Sequence, residues 1–293
     1  MKNKLISTFA GAGLLLTACI WGFAFVVVKD SLDYVPPIYM LAFRFSIAAV
    51  GLLLAYFSRL NKLDALLWRH GAMLGLYLFL GYAFQTVGCD YTSAGKNAFL
   101  TTVYVIIVPI LAWVFQKKRP HLFVFIAAVM SLTGIAMLAL GTDALSDTLH
   151  INIGDILTLI CGFFYAIHIL FVSIWSQKQD PLLLTVVQFI VAAILSWIMA
   201  PLFDGAFPYA ALHSFHVVGS MLYLGVLSTL VCFVLQNVGL KYVSPFLATI
   251  CLSMESVFGV LFSVLLLGEI LTPRMIVGCV LLFAAILFVQ IKG

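Results

Sequence analysis

The sequence predicts an all-α polytopic membrane protein with ten transmembrane helices in two inverted five-helix repeats. Three observations carry that expectation: a composition too apolar for water, ten apolar runs of bilayer length, and a motif that recurs at a corresponding place in each half. Of the 293 residues, 64% are hydrophobic and 9% charged, and the mean hydropathy is +1.19. So little polar surface cannot cover a water-soluble globule of this size, whereas a lipid solvent removes the conflict.

In chain order the apolar runs cover residues 8–28, 38–57, 71–88, 94–115, 122–140, 154–174, 182–202, 217–238, 245–267 and 275–291. Each is close to the ~20 residues that cross a ~30 Å hydrocarbon core at ~1.5 Å per residue. Peptide groups inside that core need internal partners, so the runs are expected as helices; a barrel would show short alternating segments instead. The first run follows Lys2 and Lys4, and Leu16-Thr17-Ala18-Cys19 resembles a lipoprotein cleavage box. The apolar stretch continues through Val28, past the ~7–15 residues of a cleaved signal core, so an uncleaved first span is expected. Connections are mostly short, which gives one membrane domain with halves at residues 1–148 and 149–293.

Placing the N-terminus in the cytoplasm puts Lys2, Lys4, Arg59, Lys62, Arg69, Lys117, Lys118, Arg119, Lys178, Lys241 and Lys292 inside, eleven of the fifteen basic residues. Lys29, Lys96 and Arg274 stay outside with Asp30, Asp33, Asp90, Asp143, Asp147, Asp155, Asp204 and Glu269, and Arg44 falls within a span. The positive-inside rule therefore favours cytoplasmic N- and C-termini and an even number of spans. Cys19, Cys89, Cys161, Cys232, Cys251 and Cys279 lie in or beside apolar runs without C-x-x-C spacing and read as small packing residues. A net charge of +4 dispersed over loops argues against nucleic acid as a partner.

The segment from Gln85 to Ser93 matches that from Gln236 to Ser244 at five of nine positions, 151 residues apart, and Gly22-Phe23 matches Gly162-Phe163 at an offset of 140. The longer segment 204–216 absorbs the difference of 11. Five spans per half is an odd number, so the second half is expected to enter the membrane in the opposite sense. Inverted repeats of this kind underlie alternating access to a site near the midplane.

At this point the chain resembles the drug/metabolite transporter superfamily, specifically its EamA-like family. The resemblance covers nearly the whole chain. It rests on Trp21-Gly22-Phe23, Ala42-Phe43-Arg44-Phe45 with Ala48-Ala49, Tyr91-Thr92-Ser93-Ala94, and Pro109-Ile110-Leu111-Ala112. It continues in Gly154-Asp155, Tyr165-Ala166, Met254-Glu255-Ser256-Val257 and Leu267-Gly268-Glu269. Where the family commonly has Glu-Pro-Val, this chain has Glu255-Ser256-Val257, so the proline that would kink the ninth span is missing. The resemblance implies a carrier, most often an exporter, of amino acids or similar metabolites, without nucleotide hydrolysis. No G-x-x-x-x-G-K-[ST] phosphate loop is present and no cofactor is expected.

Glu255 is the first candidate for function. It sits about ten residues into its span, where a charge costs roughly 2.5–3.5 kcal/mol and must face a cavity or a partner. It could couple transport to a proton or bind an amino group, against a structural role bonded to a neighbouring helix. Arg44, seven residues inside the second span, could hold a substrate carboxylate, pair with Glu255 as a gate, snorkel, or pack helices. His168 shares a face with Phe164 and Tyr165, and a packed neutral imidazole weighs against a proton relay. Gln85 and Gln236 at equivalent repeat positions, with Asn97, Asn237 and Gln188, either orient a polar substrate or bond helices together. Trp21, Phe25, Tyr82, Tyr104 and Tyr165 are candidates for an aromatic cavity wall. The expected partners are thus a small-molecule substrate, the bilayer and protons. The competing class is a membrane-embedded enzyme acting on a lipid-linked substrate through Glu255, His168 and Arg44, for which no clustered catalytic motif is present.

Overall fold

The structure is a computed structural model that describes residues 2–92, 94–117, 119–139, 152–206, 209–267 and 273–292. Among these, the helices are α1 (Lys2–Ser31), α2 (Pro37–Ala55), α3 (Ala65–Tyr91), α4 (Ala94–Thr101), α5 (Tyr104–Gln116), α6 (Leu122–Ala139) and α7 (Ile153–Trp175). They continue as α8 (Pro181–Phe203), α9 (Phe215–Leu222), a π-helical segment (Tyr223–Val231), α10 (Cys232–Tyr242), α11 (Pro245–Ser253), α12 (Glu255–Leu267) and α13 (Pro273–Lys292). No strand occurs among the described residues. Among the described residues, six helices are long and apolar enough to cross a bilayer: Ser7–Ser31, Pro37–Ala55, Ala65–Tyr91, Ile153–Trp175, Pro181–Phe203 and Phe215–Tyr242. Shorter apolar helices, Tyr104–Gln116, Leu122–Gly134, Pro245–Gly259 and Ile276–Ala285, stand where the other four spans were expected. The boundary expected at 148/149, the acidic Asp143, Asp147 and Glu269, and Ser93, Lys118 and Gly268 lie outside the described residues.

Helix starts are set by local chemistry. A helix N-terminus leaves N–H groups without intrahelical partners, a serious cost beside lipid. Asp64 accepts from Leu67 N at 2.7 Å, Asp180 from Leu182 N at 2.9 Å, and Ser244 from Leu247 N at 3.3 Å. Asn152 and Asp155 close a reciprocal capping box on α7. The first N–H groups of α2 are met from the opposite half, where Asp204 Oδ2 accepts from Ile38 at 2.7 Å and Tyr39 at 2.9 Å.

The halves are equivalent. Adding 151 to the bounds of α4 and α5 gives the starts of α11 and α12, since 94 + 151 = 245 and 104 + 151 = 255. Exchanging the halves also preserves the packing: α1 lies on α10, α11 and α12 as α7 lies on α3, α4 and α5, while α2 meets α8 and α6 meets α13. Two glycines at equivalent positions allow close approach beside the shorter helices of each half. A Cβ on Gly22 would lie 2.7 Å from the Glu255 carbonyl oxygen, and one on Gly162 would lie 3.0 Å from that of Thr101. Side chains such as Ile110, Val114, Val129, Ile194 and Val280 remain exposed on the outside of the bundle, as a lipid-facing surface requires.

Three spans depart from the regular helices expected. The fourth and ninth spans were read as continuous, but each is broken, at residues 102–103 and at Met254. The ninth breaks without a proline. Ser253 Oγ donates to Ile250 O at 2.8 Å and Thr249 Oγ1 to Phe246 O at 2.9 Å, while Met254 N turns back to Cys251 O at 3.3 Å. Hydroxyls that bond their own preceding turn compete with the helical ladder and tighten it, which ends the helix locally. The eighth span also departs from a regular helix, because residues 223–231 adopt the wider π pattern.

Candidate functional site

Between the halves lies a narrow cavity, with about 50 Å³ open to the centre of a water-sized sphere. Of the thirteen residues singled out from sequence, Asn237 and Gln188 do not line it and eleven do: Trp21 and Phe25 on α1, Arg44 on α2, Tyr82 and Gln85 on α3, Asn97 on α4, Tyr104 on α5, Tyr165 and His168 on α7, Gln236 on α10 and Glu255 on α12. The cavity runs past Val28 and Cys89, towards the ends of α1 and α3.

Its geometry centres on pairs of equivalent residues. Tyr104 and Glu255 are repeat mates, 151 positions apart, and the Tyr104 hydroxyl donates to Glu255 Oε1 at 3.3 Å. Tyr82 and Phe233, also 151 apart, have ring centroids 5.9 Å apart. Phe45 and Phe189, equivalent in α2 and α8 by the offset of 144 that relates Pro37 to Pro181, stand at 6.4 Å. Residues that meet their own mates lie on the line about which the halves exchange, so the cavity sits on that line.

Glu255 is 4% exposed and opens α12 at the helix break, which directs its carboxyl to the cavity. Arg44 is 2% exposed, donates from Nε to Thr229 Oγ1 at 2.9 Å and from Nη2 to Ser228 Oγ at 3.1 Å, and lies 4.4 Å over the Tyr82 ring. Of the alternatives open for Arg44, pairing with Glu255 is not seen; the arginine turns to the hydroxyls of the π segment. That segment has the Trp21 indole N–H donating to Ser228 O at 2.7 Å and Thr229 Oγ1 bonding Leu224 O at 2.7 Å. His168 is buried with Nε2 2.9 Å from Gln188 Oε1, as a packed histidine.

The amides form a second network. Tyr165 donates to Gln85 Oε1 at 3.0 Å, and Gln85 Nε2 donates to Thr101 Oγ1 at 3.2 Å. Asn97 Nδ2 reaches Gln85 O at 3.0 Å and Thr158 Oγ1 at 2.8 Å, while its buried Oδ1 has no hydrogen-bond partner among the described residues. Asn237 and Gln188 are helix-bonding amides, through Thr185 at 2.8 Å and His168 respectively. Sequence reasoning did not single out Thr101, Ser228, Thr229 and Phe233. A Ser-Thr pair inside an apolar run was the available signal for two of them. No group of three or more potential metal ligands occurs among the described residues.

Two equivalent helical halves, enclosing on their common axis a buried cavity with polar side chains, define a membrane carrier rather than a soluble fold. The sequence profile of the EamA-like transporter family matches residues 9–140 and again 152–291, and the chain belongs to that family. It is 34% identical over 284 residues to an uncharacterized transporter of Archaeoglobus fulgidus, covering 97% of this chain and 86% of that one. The uncharacterized transporter YoaV of Bacillus subtilis is 23% identical and covers 94% of each chain. A crystal structure with 17% identity superposes at a TM-score of 0.79 over 97% of both chains, which establishes the fold. The protein is a multi-pass membrane transporter.

Proposed function

We propose that the protein is a secondary carrier, working as an exporter, of small organic metabolites such as amino acids, by alternating access through the central cavity with a proton as coupling ion at Glu255. In this reading the second repeat is inverted, both termini are cytoplasmic in the cell membrane, and the eleven cavity residues form the substrate path. The observation that carries it is the Tyr104–Glu255 contact between repeat mates at the helix breaks. A carboxyl placed where equivalent elements of the two halves meet is positioned to respond when they exchange conformations. The cavity supports the same reading. Its ~50 Å³ is enough for a few waters beside Glu255.

The test is uptake into proteoliposomes of a panel of labelled amino acids and organic ions, with and without an imposed pH gradient, beside Glu255→Gln. Saturable uptake that the gradient drives in the wild type but not in the variant is the expected result. No uptake of any panel member under any gradient contradicts the carrier reading.

A further inference from the structure

Arg44 is the feature of the cavity that its surroundings leave least balanced. It is almost fully buried, yet its polar contacts are neutral: the hydroxyls of Thr229 and Ser228, with the face of the Tyr82 ring beneath. Among the described residues no carboxylate lies within ion-pairing distance of its nitrogens. Glu255, on the same cavity, bonds Tyr104 instead. Two hydrogen bonds do not use up the donors of a guanidinium, and the rest of the group borders the cavity.

A buried cation without a counter-charge is costly and is retained where a partner arrives from outside or a function demands it. The local structure holds this one in place. The π segment widens the helix at 223–231 and brings two consecutive hydroxyls onto the same guanidinium, whose orientation is then fixed by the Tyr82 ring. Snorkelling is ruled out by the same geometry, since the head group is tied to residues deep in another helix. In the other half Gln188 stands at the position equivalent to Arg44, offset 144, and is engaged with His168, so the repeat supplies one cation and no symmetric second.

We propose that Arg44 is an anion-binding residue of the cavity and that the carried solute bears a carboxylate, which pairs with the free edge of the guanidinium. The inference rests on the carrier reading and names the chemical group its substrate presents. A planar guanidinium matches a carboxylate through parallel N–H donors, which a point charge could not do. The aromatic wall of Trp21, Tyr82, Tyr165 and Phe233 would take an apolar or flat remainder of the solute.

The test uses matched probes that differ only in charge: phenylacetate, phenylacetamide and phenethylamine. Their binding to the purified full-length protein is measured by ligand-dependent thermal stabilisation, since a ligand that binds only the folded state raises its stability. Phenylacetate is expected to bind about tenfold more tightly than the amide or the amine, and Arg44→Gln should abolish that preference. Equal binding of acid and amide, preference for the amine, or no stabilisation by any carboxylate from acetate upward overturns the proposal. The wild-type comparison decides even if Arg44→Gln does not fold. Because binding is read without flux, the two ideas fail separately. Transport of other solutes without carboxylate preference leaves the carrier standing and sinks the anion site, whereas phenylacetate binding without transport of anything does the reverse.

Discussion

Replacing Gly22 by alanine, beside the same change at Gly11, tests the packing that sets the cavity. Both glycines lie on α1, so each substitution brings the same helix-propensity gain of about 0.8–1 kcal/mol. Their surroundings differ. A Cβ on Gly11 meets nothing within 4 Å, whereas one on Gly22 meets Glu255 O at 2.7 Å, Phe258 Cβ at 2.7 Å and Gly259 N at 2.8 Å. Ordinary contact begins at 3.4 Å, so the shortfall is 3.4 − 2.7 = 0.7 Å. Two of the three obstructing atoms are backbone and no rotamer change relieves them. The first turn of α12, which carries Glu255, must back away from α1. Overpacking of this kind costs about 1–3 kcal/mol. Because the propensity term cancels between the variants, that cost is the expected difference in their stability. Thermal unfolding of both in the same lipid or detergent reads it, and uptake by the Gly22→Ala protein should fall as Glu255 is displaced. If Gly22→Ala is as stable as Gly11→Ala, α1 and α12 do not meet at Glu255 and the account of the cavity is wrong.

The equivalent Gly162→Ala should be destabilised to a similar degree, since its Cβ would meet Val103 at the other helix break; a neutral effect on unfolding would argue against the equivalence of the halves. Thr229→Val removes the acceptor for Arg44 Nε and should lower stability by about 1.5–3 kcal/mol, as expected for a hydrogen bond to a charged group, and an unchanged unfolding midpoint would contradict that contact. Burial holds the Asp204 carboxyl above its ordinary value, although N–H groups of Tyr39 and Ile38 oppose the shift. The folded state therefore keeps this proton to higher pH than the unfolded chain. Its contribution is fully present below the ordinary carboxylate value and is lost as pH rises through the raised one. Asp204→Asn should flatten that part of the stability profile, and identical pH slopes for variant and wild type would refute the assignment.

Much of the fold was legible because it follows from composition and run length, which the lipid solvent converts directly into helices. Gln85 and Gln236 were enough to fix the offset, and the Tyr104–Glu255 contact was latent in the same number, since 104 and 255 also differ by 151. The breaks in α4–α5 and α11–α12 were not legible. Hydroxyl back-bonding at Thr249 and Ser253 accompanies the second, and Gly22 and Gly162 let a neighbouring helix approach each break; neither feature leaves a proline or a periodicity change. The partners of Arg44 were hidden for a related reason. Ser228 and Thr229 are 184 and 185 residues away, and only the π segment turns both hydroxyls to one point. Pairing with Glu255 was one of the readings open for Arg44, but Glu255 bonds Tyr104 while Arg44 bonds the hydroxyls of the π segment, which bring it no counter-charge.

The central claim is that the cavity opens to each side of the membrane in turn. A cysteine at Phe25, which lines the cavity, placed in a chain whose six native cysteines are replaced by alanine, tests it most directly. Membrane-impermeant thiol reagents would be applied separately from each face, with and without a transported solute. Labelling is expected from both faces, with the solute shifting the balance between them. Labelling from one face alone under every condition would contradict it.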